Sequence, residues 1–339
     1  MTTPTIIDAA HTGSVPPTGT RRAQAVKVVD WLSRYSAIST TLLVLIIAAL
    51  ATPSFYESSN LRVVALQTSA LGIVVLGQTV VLLVRGIDMS VSAVVAFTGV
   101  IAASAVSGIG DIALSLVIVV GLALAVGLVN GLLITWRKVP PFIATFIMLI
   151  VVSGGLLAYT RGQSSGSAPS WLRSIGSGSI FGVPLPFVIW VVMGVVLFFA
   201  LTRTIWGRYI YSVGANQEAS RHAGVPVVTV TMSAYLLAAL CAVVGGLIYS
   251  GYQGYIDQNL GSNVNFNSIA AAIVGGVAFS GGRGGVLGAA VGALLLTILT
   301  NIVVVAGLDI YWQLIVQGAV LIFAVTINGL RDRWVHDTA

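Results

Sequence analysis

Few side chains in this 339-residue sequence could perform covalent or acid–base chemistry. It contains ten Asp and Glu residues, three His and one Cys. No Ser/His/Asp, Cys/His or paired-carboxylate set is spaced for nucleophilic or general acid–base catalysis. Cys241 lies in an apolar run and has no second cysteine as partner, which excludes an intramolecular disulfide and a cysteine-rich metal site. We therefore expect no catalytic residue and no metal site, and predict that the chain is not an enzyme.

The sequence also lacks a nucleotide-binding loop of its own. A P-loop needs Gly-Lys-Ser/Thr, because backbone amides and the lysine hold the phosphates, and valine follows both lysines, Lys27 and Lys138. The glycine-rich run Gly281–Gly288 has no lysine and joins two apolar segments, so we interpret it as a tight turn between helices. If ATP drives this protein, another polypeptide must bind the ATP.

Composition identifies an integral membrane protein. Hydrophobic residues make up 57% of the chain, charged residues 8%, and the mean hydropathy is +1.00. A soluble domain has roughly a quarter charged residues. The net charge of +6 is spread over one to three basic residues at a time between apolar runs, which favours a role in membrane orientation over nucleic-acid binding.

The apolar runs predict an all-α polytopic fold with about ten transmembrane helices, at roughly 20 residues per span. The eighth segment is short and rich in glycine and alanine, so it could be broken or incomplete. Segments 2–5 and 7–10 could form two halves of opposite orientation. The ten predicted segments are 37–53, 62–84, 88–108, 112–136, 141–160, 185–202, 227–251, 267–281, 285–305 and 309–329.

Basic residues predict the orientation of these segments. With both termini cytoplasmic, thirteen Lys and Arg residues fall inside and three outside, as the positive-inside rule requires. The predicted parts are a cytoplasmic N-terminal segment (1–36), a transmembrane domain (37–330) containing a cytoplasmic loop (203–226), and a cytoplasmic tail (331–339). Ala49-Leu50-Ala51 resembles a signal cleavage site. Cleavage there would leave the remaining topology unchanged, and we favour an uncleaved first span.

The loop 203–226 carries the signals of a short capped helix. Asn216 suits an N-cap, Glu218 falls at the positive end of the helix dipole, and two basic residues fall at the negative end. Gly224 can close the helix in the left-handed conformation, so we predict a helix over Gln217–Ala223. Ala219 and Ala223 share one smooth face. Two interpretations remain open here: a helix that a partner grips, and an ordinary connection.

Polar residues within the predicted spans are few. Asp88 is the acidic residue near the start of a span, and the scarcity of intramembrane carboxylates argues against a proton-driven carrier. We take Asp88, Ser90, Asn130 and Asn301 as candidates for a pathway or gate. The alternative for each is an interhelical hydrogen bond.

Small residues and loops complete the local predictions. Gly127 and Gly131, and Gly284, Gly288 and Gly292, recur at four-residue spacing, which favours close helix packing. The outside loop 161–184 is rich in Ser and Gly, and we predict an irregular surface loop.

Five stretches, in order, resemble the permease subunits of ribose-type bacterial sugar ABC importers, in the branched-chain amino acid/sugar permease superfamily. The resemblance runs from about residue 37 to 330. Two departures concern Ser92, where many members have glycine, and Asn265-Phe266-Asn267, which replaces an acidic Glu-Leu-Asp stretch. The matching stretches are 86–91 (GIDMSV), 139–145 (VPPFIAT), 206–219 (WGRYIYSVGANQEA), 269–276 (IAAAIVGG) and 281–284 (GGRG).

The resemblance implies a function and an assembly. It implies a permease of the bacterial cytoplasmic (inner) membrane with no cofactor, whose partners are an ATPase that binds ATP, an extracytoplasmic substrate-binding protein and a second permease copy. Alternating access would then carry a monosaccharide or polyol. Alternatives are branched-chain amino acids, nucleosides or a signalling sugar as cargo, and an ATP-independent carrier or channel.

The resemblance also gives the loop a role. In such importers a short cytoplasmic helix of the permease sits in a cleft of the ATPase and carries nucleotide-driven motion to the spans. The residues of this sequence that the resemblance places in that coupling element are Gly207, Arg208, Gly214, Asn216, Glu218, Ala219, Arg221, Ala223 and Gly224.

Overall fold

The structure, a computed structural model, describes residues 53–105, 108–163, 166–257, 259–309 and parts of 311–326. The predictions for 1–36, for 331–339 and for nearly all of the first apolar segment lie outside these residues. A 3₁₀ turn, Pro53–Tyr56, comes first. The helices that follow are α1 (Ser58–Leu83), α2 (Val91–Ser104), α3 (Gly108–Thr135), α4 (Pro141–Thr160), α5 (Ser170–Ser177), α6 (Leu185–Arg203), α7 (Ile205–Ala215), α8 (Gln217–His222), α9 (Val227–Gln253), α10 (Val264–Val274) and α11 (Val286–Val305).

Six of the described helices, α1, α3, α4, α6, α9 and α11, are long and apolar enough to cross a membrane. The prediction of an all-α polytopic membrane protein is therefore confirmed. The predicted third and eighth segments form shorter apolar helices of 14 and 11 residues, α2 and α10, below the roughly 20 that a span needs. The eighth segment is short as expected. The third is shorter than the predicted 88–108 because residues 85–90 form a turn before α2.

Helix α1 lies at the centre of the packing. It is buried on all sides over most of its length and packs against α6, α9, α10 and α11. A helix that is apolar all round is expected to be enclosed in this way. Gly77 brings the α1 backbone against α9, since a β-carbon there would lie 2.8 Å from the Cα of Ala238.

The outer helices α4 and α6 expose most of their apolar side chains. Phe146 and Ile150 of α4 and Val192 and Val196 of α6 are examples, each at least 41% exposed. Lipid solvates such surfaces, so the exposure agrees with a membrane location.

The predicted glycine packing is confirmed for four of the five glycines, whereas Gly284 lies in the turn before α11 (φ +119°). Gly127 and Gly131 of α3 lie against the backbone of α9, and Gly288 and Gly292 of α11 lie against the backbone of α10. A β-carbon at any of these four positions would be at 3.0 Å or less from a neighbouring atom. These small residues therefore let the helix axes approach closely.

The prediction of an irregular loop over 161–184 is wrong. The segment contains α5 and three short strands. Strand β1 (Gly166–Ser167) pairs with β4 (Tyr255–Ile256), and β2 (Ser179–Ile180) pairs with β3 (Val183–Pro184), both antiparallel. Tertiary contacts stabilise α5 despite its Ser and Gly content. Leu172 is fully buried, and Trp171 Nε1 donates to Ala105 O at 3.0 Å.

Candidate functional site

Helix α8 confirms the capped helix that the sequence predicts. Asn216 has extended backbone angles (φ −156°, ψ 107°), and its side-chain oxygen accepts from the backbone N–H of Ala219 at 2.9 Å. Glu218 lies in the first turn and two basic residues lie in the last. Gly224 follows the helix at φ +80°, in the left-handed region that closes helices. The helix ends at His222, one residue earlier than predicted.

Most of α8 faces outward. Ala219, Ala223 and Arg221 are exposed, which leaves the predicted smooth face uncovered in this chain. Ser220 is the buried residue of the helix, and its hydroxyl shares a hydrogen bond of 2.8 Å with that of Ser212. The helix is thus attached to α7 by one side, and its other side is exposed.

The sequence did not reveal α7, which precedes α8. Thr204 is its N-cap, and its hydroxyl oxygen accepts from the N–H of Gly207 at 3.2 Å. Trp206 Nε1 donates to Ser233 Oγ of α9 at 2.8 Å. Arg208 is exposed. The signal that could have shown the helix is the three- to four-residue spacing of its buried positions, Gly207, Ile210, Val213 and Gly214.

The end of α7 meets two distant segments, and we call this meeting point the loop junction (residues 83–85, 214–215 and 281–284). Gly214 lies so close to Leu83 that a β-carbon would overlap the Leu83 carbonyl oxygen. That same oxygen accepts from the N–H of Gly282 at 2.9 Å. Arg85 donates from Nε to Gly214 O and from Nη2 to Ala215 O, both at 2.6 Å.

The Gly281–Gly288 run is a tight turn between helices, as predicted. Gly281 and Gly282 both have positive φ, +80° and +71°, and Ala278 N donates to Arg283 O at 2.9 Å across the turn. Tyr211 Oη of α7 donates to Gly284 O at 3.0 Å. The turn between α10 and α11 is therefore bonded to the same helix as the turn after α1.

Three of the four candidate pathway residues come together in a buried network. Asp88 Oδ1 accepts from Ser90 N at 2.8 Å and from Ser90 Oγ at 2.5 Å. Asn130 Nδ2 of α3 donates to Ser90 Oγ at 3.0 Å. Thr145 Oγ1 of α4 accepts from Met89 N at 3.1 Å. The network holds the turn before α2 between α3 and α4.

A polar side chain of α1 completes this network. The Gln78 amide of α1 lies against the Asp88 backbone. In the orientation that satisfies both atoms, Nε2 donates to Asp88 O and Oε1 accepts from Asp88 N, each at 3.2 Å. Asn130 Oδ1 is buried and has no hydrogen-bond partner within the described part of the chain. The network can therefore accept one further donor.

Asn301 lies apart from this group. It bonds to Asn60 through their amides at 3.0 Å. Asn60 is at the start of α1 and Leu83 at its end, which at 1.5 Å per residue places them about 35 Å apart. The four candidates thus form two separate polar sites at opposite ends of α1.

A chain of long apolar helices, with an exposed capped helix between two of them, has the features of a membrane permease. The chain belongs to the family described as the branched-chain amino acid transport system/permease component, whose model matches residues 60–325. No solved structure matches the chain.

Curated relatives narrow the class. The ribose import permease protein of Escherichia coli K12 is 31% identical over 309 residues, covering 89% of this chain and 95% of the relative. That of Bacillus subtilis 168 is 33% identical, covering 84% and 89%. The fructose import permease protein of Rhizobium meliloti is 32% identical, covering 84% and 81%. The chain is therefore an import permease component of the membrane.

Proposed function

We propose that this chain is the membrane-spanning permease subunit of an ATP-binding-cassette importer, and that it forms the translocation path for a monosaccharide or polyol. The observation that carries the proposal is the similarity to ribose and fructose import permeases over more than four fifths of each chain. A neutral, hydroxyl-rich cargo also agrees with a buried polar network built mainly from amides and hydroxyls, such as Asn130 and Thr145.

We propose further that α8 docks into the partner ATPase. Its exposed Ala219 and Ala223 offer a face without bulk, and exposed Glu218 and Arg221 flank that face with opposite charges. Five further residues belong to the proposed coupling element. Gly207 and Gly214 allow close approach of the backbone, Gly224 closes α8, and Asn216 caps it. The fifth residue is the exposed Arg208. ATP binding would close the ATPase pair, move α8 and so change the side to which the pathway opens.

The proposed topology has about ten spans with both termini in the cytoplasm of a bacterium. The repeat proposal gains support from helix lengths. In one half α1, α2 and α3 have 26, 14 and 28 residues, and in the other α9, α10 and α11 have 27, 11 and 20. Each half thus has a long, a short and a long helix in order. A second permease copy would complete the membrane part, with a substrate-binding protein docking outside.

The polar residues have distinct proposed roles. Asp88, Ser90 and Asn130 are bonded to one another, so we assign them to the frame of a gate. Asn301, paired with Asn60 at the other end of α1, would take part in the opposite opening of the pathway. A permease that receives its cargo from a binding protein is expected to hold that cargo weakly. The division of the polar residues between two distant sites agrees with this expectation.

A second cargo class has one observation in its favour, because the matching family is described by branched-chain amino acid transport. An ATP-independent carrier or channel is the alternative from another class. Sequence and fold offer no feature that favours nucleosides or a signalling sugar over these.

The test is transport by the reconstituted permease with the ATPase and binding protein recovered by pull-down from its source cells. Proteoliposomes would be supplied with ribose, fructose, galactose or leucine, with and without Mg-ATP. ATP-dependent uptake of a sugar is the expected result. Uptake of leucine alone would move the assignment to the amino-acid class, and uptake that ignores ATP and the ATPase would overturn the importer assignment.

A further inference from the structure

Arg85 has an unusual backbone for its position. It follows α1 at φ +64°, in the left-handed region that costs a non-glycine residue free energy. The conformation directs its guanidinium at the last carbonyls of α7, Gly214 O and Ala215 O. Carbonyls at a helix C-terminus lack partners within the helix and carry its partial negative charge. The bidentate cap gives a reason for the strained backbone to persist.

The same side chain covers a segment from the other half of the chain. A β-carbon on Gly281 would collide with Cγ of Arg85, so the aliphatic stem lies directly on that glycine. The neighbouring Gly282 N donates to Leu83 O at 2.9 Å. One arginine therefore contacts the end of α7 with its head and the α10–α11 turn with its stem, and its own backbone continues α1.

The linkage to α8 is short. One residue, Asn216, separates α7 from α8, and its N–H donates to Ser212 O at 3.0 Å. Movement of α8 that carries α7 with it would therefore displace the carbonyls that Arg85 holds. The turn after α1 leads directly into the polar network around Asp88, so displacement there reaches the proposed gate.

We propose that Arg85 is a positioning residue that transmits movement of α8 to both halves of the permease at once. The inference rests on the proposed coupling role of α8. The fork of an arginine, with two donors in a fixed plane, suits this task, whereas a lysine can offer only a single point charge. We call this set of contacts the joint: it consists of the Arg85 guanidinium, the two carbonyls at the end of α7 and the glycine turn between α10 and α11.

The following variants separate the effect of the Arg85 guanidinium from the effects of its backbone conformation and its charge. Arg85→Ala retains the left-handed backbone cost, since alanine also has a β-carbon, and loses both bonds. Arg85→Lys retains the charge and loses the fork. Arg137→Ala is the matched control, because Arg137 is exposed beyond the end of α3 and lies over the ring of Trp136.

The first measurement uses the full permease alone in lipid nanodiscs, and so does not depend on the ATPase. Hydrogen–deuterium exchange is followed at residues 212–224 and 278–285. In Arg85→Ala we expect both segments to exchange about tenfold faster or more, as expected for loss of charge-assisted hydrogen bonds, with Arg137→Ala unchanged. If Arg85→Ala exchanges at the wild-type rate, or if only one of the two segments changes, the proposed contact of Arg85 with both segments is wrong.

The second measurement uses the complete transporter and reports substrate molecules transported per ATP hydrolysed. We expect Arg85→Ala and Arg85→Lys to retain the ATPase and its basal hydrolysis but to transport about tenfold fewer molecules per ATP. A wild-type ratio in both variants would overturn the proposal. If Arg85→Ala fails to insert, Arg85→Lys decides alone: an uncoupled transporter supports the joint and a fully coupled one overturns it.

The two proposals fail in different ways. If α8 is not the ATPase contact, Glu218→Lys will leave ATPase binding intact, whatever Arg85 does. If α8 is the contact but Arg85 does not transmit its motion, Glu218→Lys will weaken ATPase binding while the Arg85 variants transport normally.

Discussion

The α-carbon of Gly214 lies directly against the carbonyl oxygen of Leu83, so a side chain at position 214 has no room. We expect Gly214→Ala to separate α7 from α1 and to lower the free energy of unfolding by about 1–3 kcal/mol, a usual cost of overpacking. Coupled transport should fall with it. Thermal unfolding in detergent gives the first quantity and uptake the second.

The control for this substitution is Gly121→Ala. Gly121 is an exposed helical residue of α3 with no atom near its missing β-carbon. The change should be neutral or slightly stabilising, since alanine favours helix over glycine. A Gly214→Ala permease as stable as Gly121→Ala would contradict the close approach.

Capping by Asn216 predicts a selective effect on α8. Asn216→Ala removes the bond to the Ala219 N–H, and loss of such a cap costs about 0.5–2 kcal/mol. Trypsin should then cleave faster after Arg221, and ATPase co-purification should weaken. Asn216→Ser should restore both.

Asn263 provides a matched control for the cap, because it precedes α10 without a side-chain capping bond. Asn263→Ala should therefore leave proteolysis near Arg221 unchanged. Equal cleavage of Asn216→Ala and wild type would show that the cap does not stabilise α8.

Charge at the start of α8 predicts impaired coupling. Glu218→Lys places a positive charge at the positive end of the helix dipole, worth about 0.3–1 kcal/mol, and reverses the charge of an exposed residue beside the smooth face. The permease should still reach the membrane but lose ATPase co-purification or substrate-stimulated hydrolysis. Glu57→Lys, at the exposed start of α1, should behave as wild type, and equal stimulation in both variants would count against α8 as a coupling element.

Asn130 belongs to the buried network around Asp88 and Asn301 to the separate pair with Asn60, so their substitutions should give different results. Asn130→Ala loses the bond to Ser90 but also removes a buried acceptor without a partner, so the net destabilisation should be about 1 kcal/mol. Asn301→Ala loses the bond to Asn60 and should cost about the same. We expect lower transport per ATP only in Asn130→Ala, because Asn130 holds the turn beside the loop junction; reduced coupling in Asn301→Ala as well would contradict the separation of the two sites.

The proposed topology places the β2–β3 turn outside the cell and α8 in the cytoplasm, and this predicts how cysteines introduced there react. Cys241 is buried, so background labelling should be low. Phe181→Cys, at a fully exposed position in the β2–β3 turn, should react with a membrane-impermeant maleimide in intact spheroplasts. His222→Cys should react only after the membrane is opened; labelling of both in intact spheroplasts would contradict the proposed topology.

Local signals in the sequence predicted α8, and non-local contacts account for what was missed. Asn216 and Gly224 specify their helix within nine residues, so the pattern alone was enough. The bond from Arg85 to Gly214 joins residues 129 apart, and no local pattern encodes it. Helix α5 forms in a Ser/Gly-rich segment because Leu172 and Trp171 find partners elsewhere. Likewise the separation of Asn301 from Asp88 follows from the length of α1.

The enclosure of α1 has a consequence for biogenesis. Its packing partner α9 begins roughly 150 residues later in the chain, and ribosomes add about 5–20 residues per second. For roughly 7 to 30 seconds, therefore, α1 must wait in the bilayer or beside the insertion machinery with Gly77 not yet covered by α9. Assembly of this permease would then be limited by the arrival of its second half, and truncations that end before α9 should be recognised by membrane proteases as orphaned helices.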